Sequence, residues 1–283
     1  MRAITQVGAT PNRVAIIYDV LADAGPDGLE RLVLEALITP PTLVDDPEPG
    51  VDNAFRQSLS VGEDLGLFQS EAGRVRLIDP SRPIFLSAVE ARAIDQPTSA
   101  VQPDGWLAGA VSWILCQNPR HPLPFGQSNA VNRLRVDMGP GGPTFGMTSN
   151  PPWHMVVYWS RALGYVERMP MPDEMVVPDP TRALARRLIR LLPAGVERPL
   201  PGLLADLAVD CPVLDGGRLR REVETLAKIT REPNVASASL ALALVRLKAR
   251  GMLEFASLSD GQAVFIEGLP DGRATHVMRR VAA

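Results

Sequence analysis

Arginines carry the most pronounced chemical patterning in this sequence. Arg182, Arg186 and Arg190 recur at i, i+4 and i+8, which lines them along one helix face, and Arg187 flanks them. Leu184, Leu188 and Leu191 supply the opposing, buried side. Arg218, Arg220 and Arg221 follow in a later helical stretch. On a further helix Leu240, Leu244 and Leu247 form the core stripe, and Ser239, Arg246 and Arg250 are expected to project outward. A guanidinium is planar and always charged, so it suits bidentate contact with phosphate or carboxylate. The candidate nucleic-acid contacts are therefore Arg182, Arg186, Arg187, Arg190, Ser239, Arg246 and Arg250. Three readings of these cations stay open. They could form a solvated face with ion pairs to Glu222 and Glu224, a phosphate-binding face, or a dock for an acidic protein surface, including the first hundred residues of this same chain.

Other chemistries find no support. His121, His154 and His276 are scattered, and no Cys-x-x-Cys or His-x-x-x-His spacing suggests a metal. The run Gly139-Pro140-Gly141-Gly142-Pro143 lacks a following Lys-Ser/Thr pair, and its prolines remove amide donors that a phosphate cradle needs. There is no Gly-x-Ser-x-Gly. Cys116 follows Trp113-Ile114-Leu115, which points to a buried, unreactive thiol. Asp45-Asp46 beside Glu48 reads as solvated loop charge. The expectation is a protein that is not an enzyme and needs no cofactor or metal.

The elements that must position these side chains come from 283 residues, enough for two or three modest domains. The hydrophobic fraction of 46% is ordinary for a globular chain. Cys116 and Cys211 lie far apart, which argues against a disulfide framework and fits a reducing cytoplasm. The N-terminus shows no signal-peptide core, and no apolar run approaches the roughly 18 residues of a membrane span. Net charge is −3, unevenly spread. Residues 1–100 carry 8 basic and 15 acidic groups, residues 178–232 carry 10 and 8, and residues 233–283 carry 6 and 4. An acidic front should repel phosphate, whereas a mildly basic back could approach it.

Three segments share one grammar: an amphipathic helix, a glycine, an apolar strand, a turn and a second strand. The first runs from Asn53 through Gly66 to Ile78, the second from Trp153 through Gly164 to Val177, and the third from Val235 through Gly251 to Ile266. Glycine ends a helix cheaply because it accepts the left-handed conformation. Gly73 and the Asp260-Gly261 pair suit tight hairpin turns. Helix followed by hairpin is the end of a winged helix, in which the helix enters a DNA groove and the hairpin is the wing. The expected fold is mainly α with small β-hairpins (α+β), as tandem winged-helix-like domains. These are an acidic unit at 1–100, a second at 101–178 with a Pro/Gly-rich insertion, and a mildly basic third at 179–283.

Earlier helices should open each unit. Val14, Ile17 and Leu21 mark one from Pro11 to Ala24, and Asp27 could cap a second holding Leu29, Leu32, Val33 and Leu37. Pro40 to Gly50 reads as an acidic loop, Ala88 to Ile94 as a short connecting helix, and Trp106 to Gln117 as a strongly apolar one. Residues Asn118 to Asn150 should be irregular apart from a short helix near Asn129 to Arg135. In the third unit, helices are expected at Thr181 to Leu192, Gly202 to Val209 and Arg218 to Ile229. The first recognition-type helix offers Asn53, Arg56, Gln57 and Ser60, but Asp52, Glu63 and Asp64 surround them. The second exposes Trp153, His154, Tyr158, Trp159 and Arg161, unless those aromatics fill the core.

The stretch Gly8-Ala9-Thr10-Pro11-Asn12-Arg13-Val14, leading into an apolar helix, resembles DpdG proteins, as do the chain length and the repeated helix–hairpin layout. Those are accessory proteins of bacterial gene islands that place 7-deazaguanine derivatives in DNA and restrict unmodified DNA. The resemblance implies a subunit of an anti-phage restriction assembly and carries over no catalytic residue. The layout is also similar to tandem winged-helix subunits that accompany bacterial chromosome-structuring ATPases and act by gripping a partner protein. The expected role is a non-enzymatic, DNA-associated subunit of a defence complex, contacting its other subunits and duplex DNA but no membrane. The alternative is a protein-binding adaptor.

Overall fold

The computed structural model describes residues 8–40, 53–79, 84–126, 129–170, 173–259 and 261–280. The fold mixes helices with strands in small antiparallel sheets. Helix α1 (Pro11–Ala24) starts on a proline, whose missing N–H would have no partner in the first turn anyway. It buries Val14, Ile17, Tyr18 and Leu21. Strand β1 (Leu29–Glu30), α2 (Arg31–Ile38), α3 (Asn53–Asp64), β2 (Phe68–Glu71) and β3 (Arg74–Leu77) follow. The sheet order is β1-β3-β2. Ala72 and Gly73 both have positive φ, the two-residue turn that matches strand twist in a hairpin.

Helix α4 (Phe85–Glu90) runs on into a single π-turn, Ala91–Asp95. A 3₁₀ turn at Pro103–Gly105 then leads into α5 (Trp106–Cys116), buried on every side from Trp106 to Leu115. Next come β4 (Leu123–Pro124), α6 (Asn129–Met138), α7 (Asn150–Ala162), β5 (Val166–Met169) and β6 (Met175–Pro178), with order β4-β6-β5. The last stretch contains α8 (Thr181–Leu191), β7 (Glu197–Pro199), α9 (Leu200–Asp210), α10 (Arg218–Leu226) and α11 (Ala238–Ala249). Strands β8 (Leu253–Ala256), β9 (Val264–Phe265), β10 (Arg273–Ala274) and β11 (His276–Arg279) complete it. Its main sheet has order β7-β11-β8, and β9 and β10 form a separate two-stranded sheet.

One pattern therefore recurs three times: helix, short strand, further helices, then two strands, with the last strand central and paired to the first. The helix before each late pair of strands stops at a glycine of positive φ, Gly66, Gly164 and Gly251. The buried apolar side chains form one continuous cluster from Ala9 to Val277, so the repeats share a core.

Several expectations are corrected. The third hairpin is not closed by residues 262–266. Strand β8 pairs with β11, while the β9 segment turns onto the start of α11, where Phe265 N–H donates to Asn234 O at 2.7 Å and Ala236 N–H to Phe265 O at 3.0 Å. Turn and apolar signals at 260–266 are local, whereas β11 wins because it can pair on both edges, with β7 and β8. Leu29 lies in β1 opposite Val75, not in a helix. Asp27 does not cap α2, whose N-cap is Glu30, and Leu32, Val33 and Leu37 point to solvent while Leu34 is buried. Pro151 and Pro152 lie in the first turn of α7. Trp153 and Trp159 are core residues, Trp153 Nε1–H donating to Phe125 O at 3.1 Å. The connecting helix begins at Phe85, ahead of Ala88. The acidic loop expected at 40–50 lies, apart from Pro40, outside the described residues.

Candidate functional site

The arginines of α8 pair with this chain's own carboxylates, Arg187 from a buried position and Arg182 and Arg190 from exposed ones. Arg187 is 4% exposed and reaches Asp95 at 2.8 Å, Asp210 at 2.9 Å and Glu90 at 3.2 Å. Arg186 pairs with Glu90 at 3.1 Å and donates to Leu163 O. Arg182 pairs with Glu167 at 2.9 Å, and Arg190 pairs with Asp210 from an exposed position. Tyr165 closes the cluster, its hydroxyl donating to Glu90 Oε1 at 2.9 Å and lying 3.4 Å from Cys211 Sγ. Burial pushes the Tyr165 phenol well above its usual range and the Cys211 thiol up to about 12. Burial also raises the Asp95 carboxyl, outweighing the attraction of Arg187. Glu90 and Asp95 belong to the segment after the first sheet, so the acidic front of the chain occupies cations of the basic back.

The other proposed contacts divide. Ser239 is buried and donates to Leu115 O at 2.7 Å, so it does not project outward. The α11 face that carries it packs on α8 and α5. Arg246 pairs with the buried Asp179. Arg250 is exposed at the end of α11 and makes no ion pair with a described residue.

A second network lies beneath α10. Arg220 donates to Glu224 at 2.8 Å and to Ser112 O at 3.2 Å, and sits 3.9 Å from Asp215. Arg231 pairs with Asp215 and, at 3.3 Å, with Glu224. Asp215 also accepts from Ser237 N–H at 2.7 Å and Ser237 Oγ–H at 2.8 Å, which ties the start of α11 to the turn before α10. Burial would raise the Asp215 carboxyl, but Arg220 and Arg231 hold it below its ordinary value. Glu222 on the outer side of α10 accepts from Ser99 Oγ–H at 2.6 Å and Ala100 N–H at 2.7 Å.

Above this floor opens a groove of about 880 Å³. Leu204, Ala208 and Val209 of α9 form one wall, the residues 233–236 another, and Arg218 and Arg221 of α10 stand on the rim. Leu240 and Val264 close it from the core side. The sequence signal for it is α9 itself, whose apolar residues spread well beyond one stripe and leave only the side of Gly202, Asp206 and Asp210 polar. Asp215 and Arg231 escaped notice because neither falls in a spaced motif. Among the described residues no group of three or more His, Cys, Asp or Glu could hold a metal ion. No helix among them is long and apolar enough to cross a membrane.

The three helices that precede the late strand pairs each bury one face in the core. Helix α7 buries Trp153, Met155, Val156, Val157 and Trp159, and α11 buries Leu240, Ala241, Ala243, Leu244 and Leu247. Helix α3 is more open, but it ends on Glu63 and Asp64.

By architecture the molecule is a repeated helix-and-strand protein whose units are held together by a shared core and internal ion pairs. The sequence profile of the DpdG-like family matches residues 1–261, and the chain belongs to that family. No curated protein and no solved structure matches it.

Proposed function

We propose that the chain is a non-catalytic, protein-binding subunit of a cytoplasmic DNA-modification and restriction system, built from winged-helix-type units at about residues 1–100, 101–178 and 179–283. Membership of the DpdG-like family supports the association with such a system. The recurring sheet order, with the last strand between the first and second, supports the winged-helix reading. One observation carries the preference for protein over DNA: the four arginines of α8 that could neutralise phosphate are already paired with carboxylates of the same chain. A paired cation releases fewer counterions on DNA and contributes little to affinity.

The test is isolation of the tagged full chain from its host, beside duplex DNA binding by fluorescence anisotropy at about 50 and about 200 mM salt. A stoichiometric co-purifying subunit and no duplex binding at low salt are expected. Duplex DNA is the second reading, favoured by the exposed Arg182, Arg190 and Arg250. Salt-sensitive binding lost in an Arg182→Ala, Arg190→Ala, Arg250→Ala variant would establish it and overturn the first.

A further inference from the structure

Helix α9 is apolar on two sides. Leu200, Leu203 and Leu207 face the core, whereas Leu204, Ala208 and Val209 line the open groove, with Val209 86% exposed. An apolar helix surface that extends well beyond one stripe is normally covered, yet among the described residues Leu204 and Ala208 are only half-buried and Val209 is left in solvent. The polar residues of this helix do not compensate, because Asp206 is paired with Arg198 and Asp210 with Arg187 and Arg190.

The charge around the groove selects its occupant. Asp215 and Glu224 in the floor are neutralised by Arg220 and Arg231. On the rim Arg218 and Arg221 stand at i and i+3, both exposed. Arg218 gives one N–H to the Asp95 carbonyl at 2.8 Å, which leaves its charge in place, and Arg221 makes no ion pair with a described residue. Glu232 is the one lining carboxylate outside the floor network, so the outward balance is positive. The floor network also fixes the groove's shape before anything binds, which lowers the ordering cost of binding.

We infer that this groove docks an acidic amphipathic segment of a partner protein. Its apolar side chains, at i, i+3 or i+4 and i+7, lie against Leu204, Ala208 and Val209, and its Asp or Glu side chains meet Arg218 and Arg221. The inference rests on the protein-binding reading above and names the chemistry of the partner.

The probe is a random phage-displayed library of peptides roughly 12–16 residues long, about the length of α9, selected on the full chain. The enriched peptides should combine Leu, Ile or Phe at helical spacing with Asp or Glu. Their affinity should fall at least about tenfold for Val209→Asp and, separately, for Arg221→Glu. Both side chains lie in solvent, so thermal unfolding of either variant should match wild type. Exchanging the peptide's acidic residues for Arg should restore binding to Arg221→Glu. Enrichment of basic peptides, binding to both variants as tight as to wild type, or no enrichment over a Val209→Asp bait would overturn the groove assignment. Co-purification separates this from the broader reading. If both variants retain a subunit that wild type carries, the groove assignment falls and the protein-binding reading stands. If wild type carries none, the protein-binding reading falls and the peptide selection decides the groove by itself.

Discussion

Arg187 joins three carboxylates from two separated stretches of chain, Glu90 and Asp95 on one and Asp210 on the other. Removing one partner of a buried charge cluster leaves the others uncompensated, so Arg187→Ala should cost about 3–5 kcal/mol in urea unfolding. Arg190→Ala, at an exposed pair with the same Asp210, should cost below about 1 kcal/mol. Asp215 makes a matching prediction in acid. Its folded pKa lies below the ordinary 3.8, so between the two values the unfolded chain binds more protons. The stabilisation is complete above the unfolded value and is lost as pH falls through the folded one. Melting temperature followed down the acid limb should therefore fall less steeply for Asp215→Asn than for wild type. The cysteines are free, with Cys211 pushed up to about 12 and Cys116 to about 11 by burial. Neither should react with iodoacetamide near pH 8 in the native chain, and both should react once it is unfolded.

Among the elements, the junction of α7 and β5 is tightly constrained. Gly164 has φ +82°, and a Cβ there would lie 2.7 Å from Arg182 Cβ. Gly164→Ala combines left-handed strain of roughly 1–2 kcal/mol with that clash, so its unfolding midpoint should drop clearly. Gly251→Ala tests the strain alone, because nothing lies within 4 Å of its Cβ position, and it should be milder. The short first strands β1, β4 and β7 were not legible in the sequence. They are two or three residues long, too short for alternation to register, and each exists because a central strand offers it a free edge. The glycine-ended helices and the hairpin at Ala72-Gly73 were legible because their determinants are adjacent in sequence.

As a whole the molecule is tied across its repeats. Helix α10 packs on α5, α11 on α8 and α5, and α1 on α7. Arg120 also bridges to Glu267 at 2.7 Å. All four tryptophans fall between Trp106 and Trp159, whereas helices run the length of the chain. Tryptophan fluorescence and far-ultraviolet circular dichroism therefore report different parts, and a shared core predicts coincident unfolding transitions. Arg187→Ala should shift both together. A separate early transition seen by dichroism alone would show that the first or third repeat, neither of which holds a tryptophan, unfolds independently.

Local spacing was enough to place most helices, to find the helix–glycine–strand repeat and to put the arginines of α8 on a charged face opposite Leu184 and Leu188. It also located the acidic front and basic back, because charge is a sum over residues. It could not decide what those arginines touch. The partners of Arg187 lie 92 residues before it and 23 after, and helical periodicity carries no information about such distances. Only tertiary packing turned a face that could have met phosphate into an internal joint. Packing also drew Trp153 and Ser239 inward, where apolar burial and a backbone acceptor outweigh exposure. The groove beside α9 arose the same way, from three elements meeting around a side of one helix that its own chain leaves uncovered.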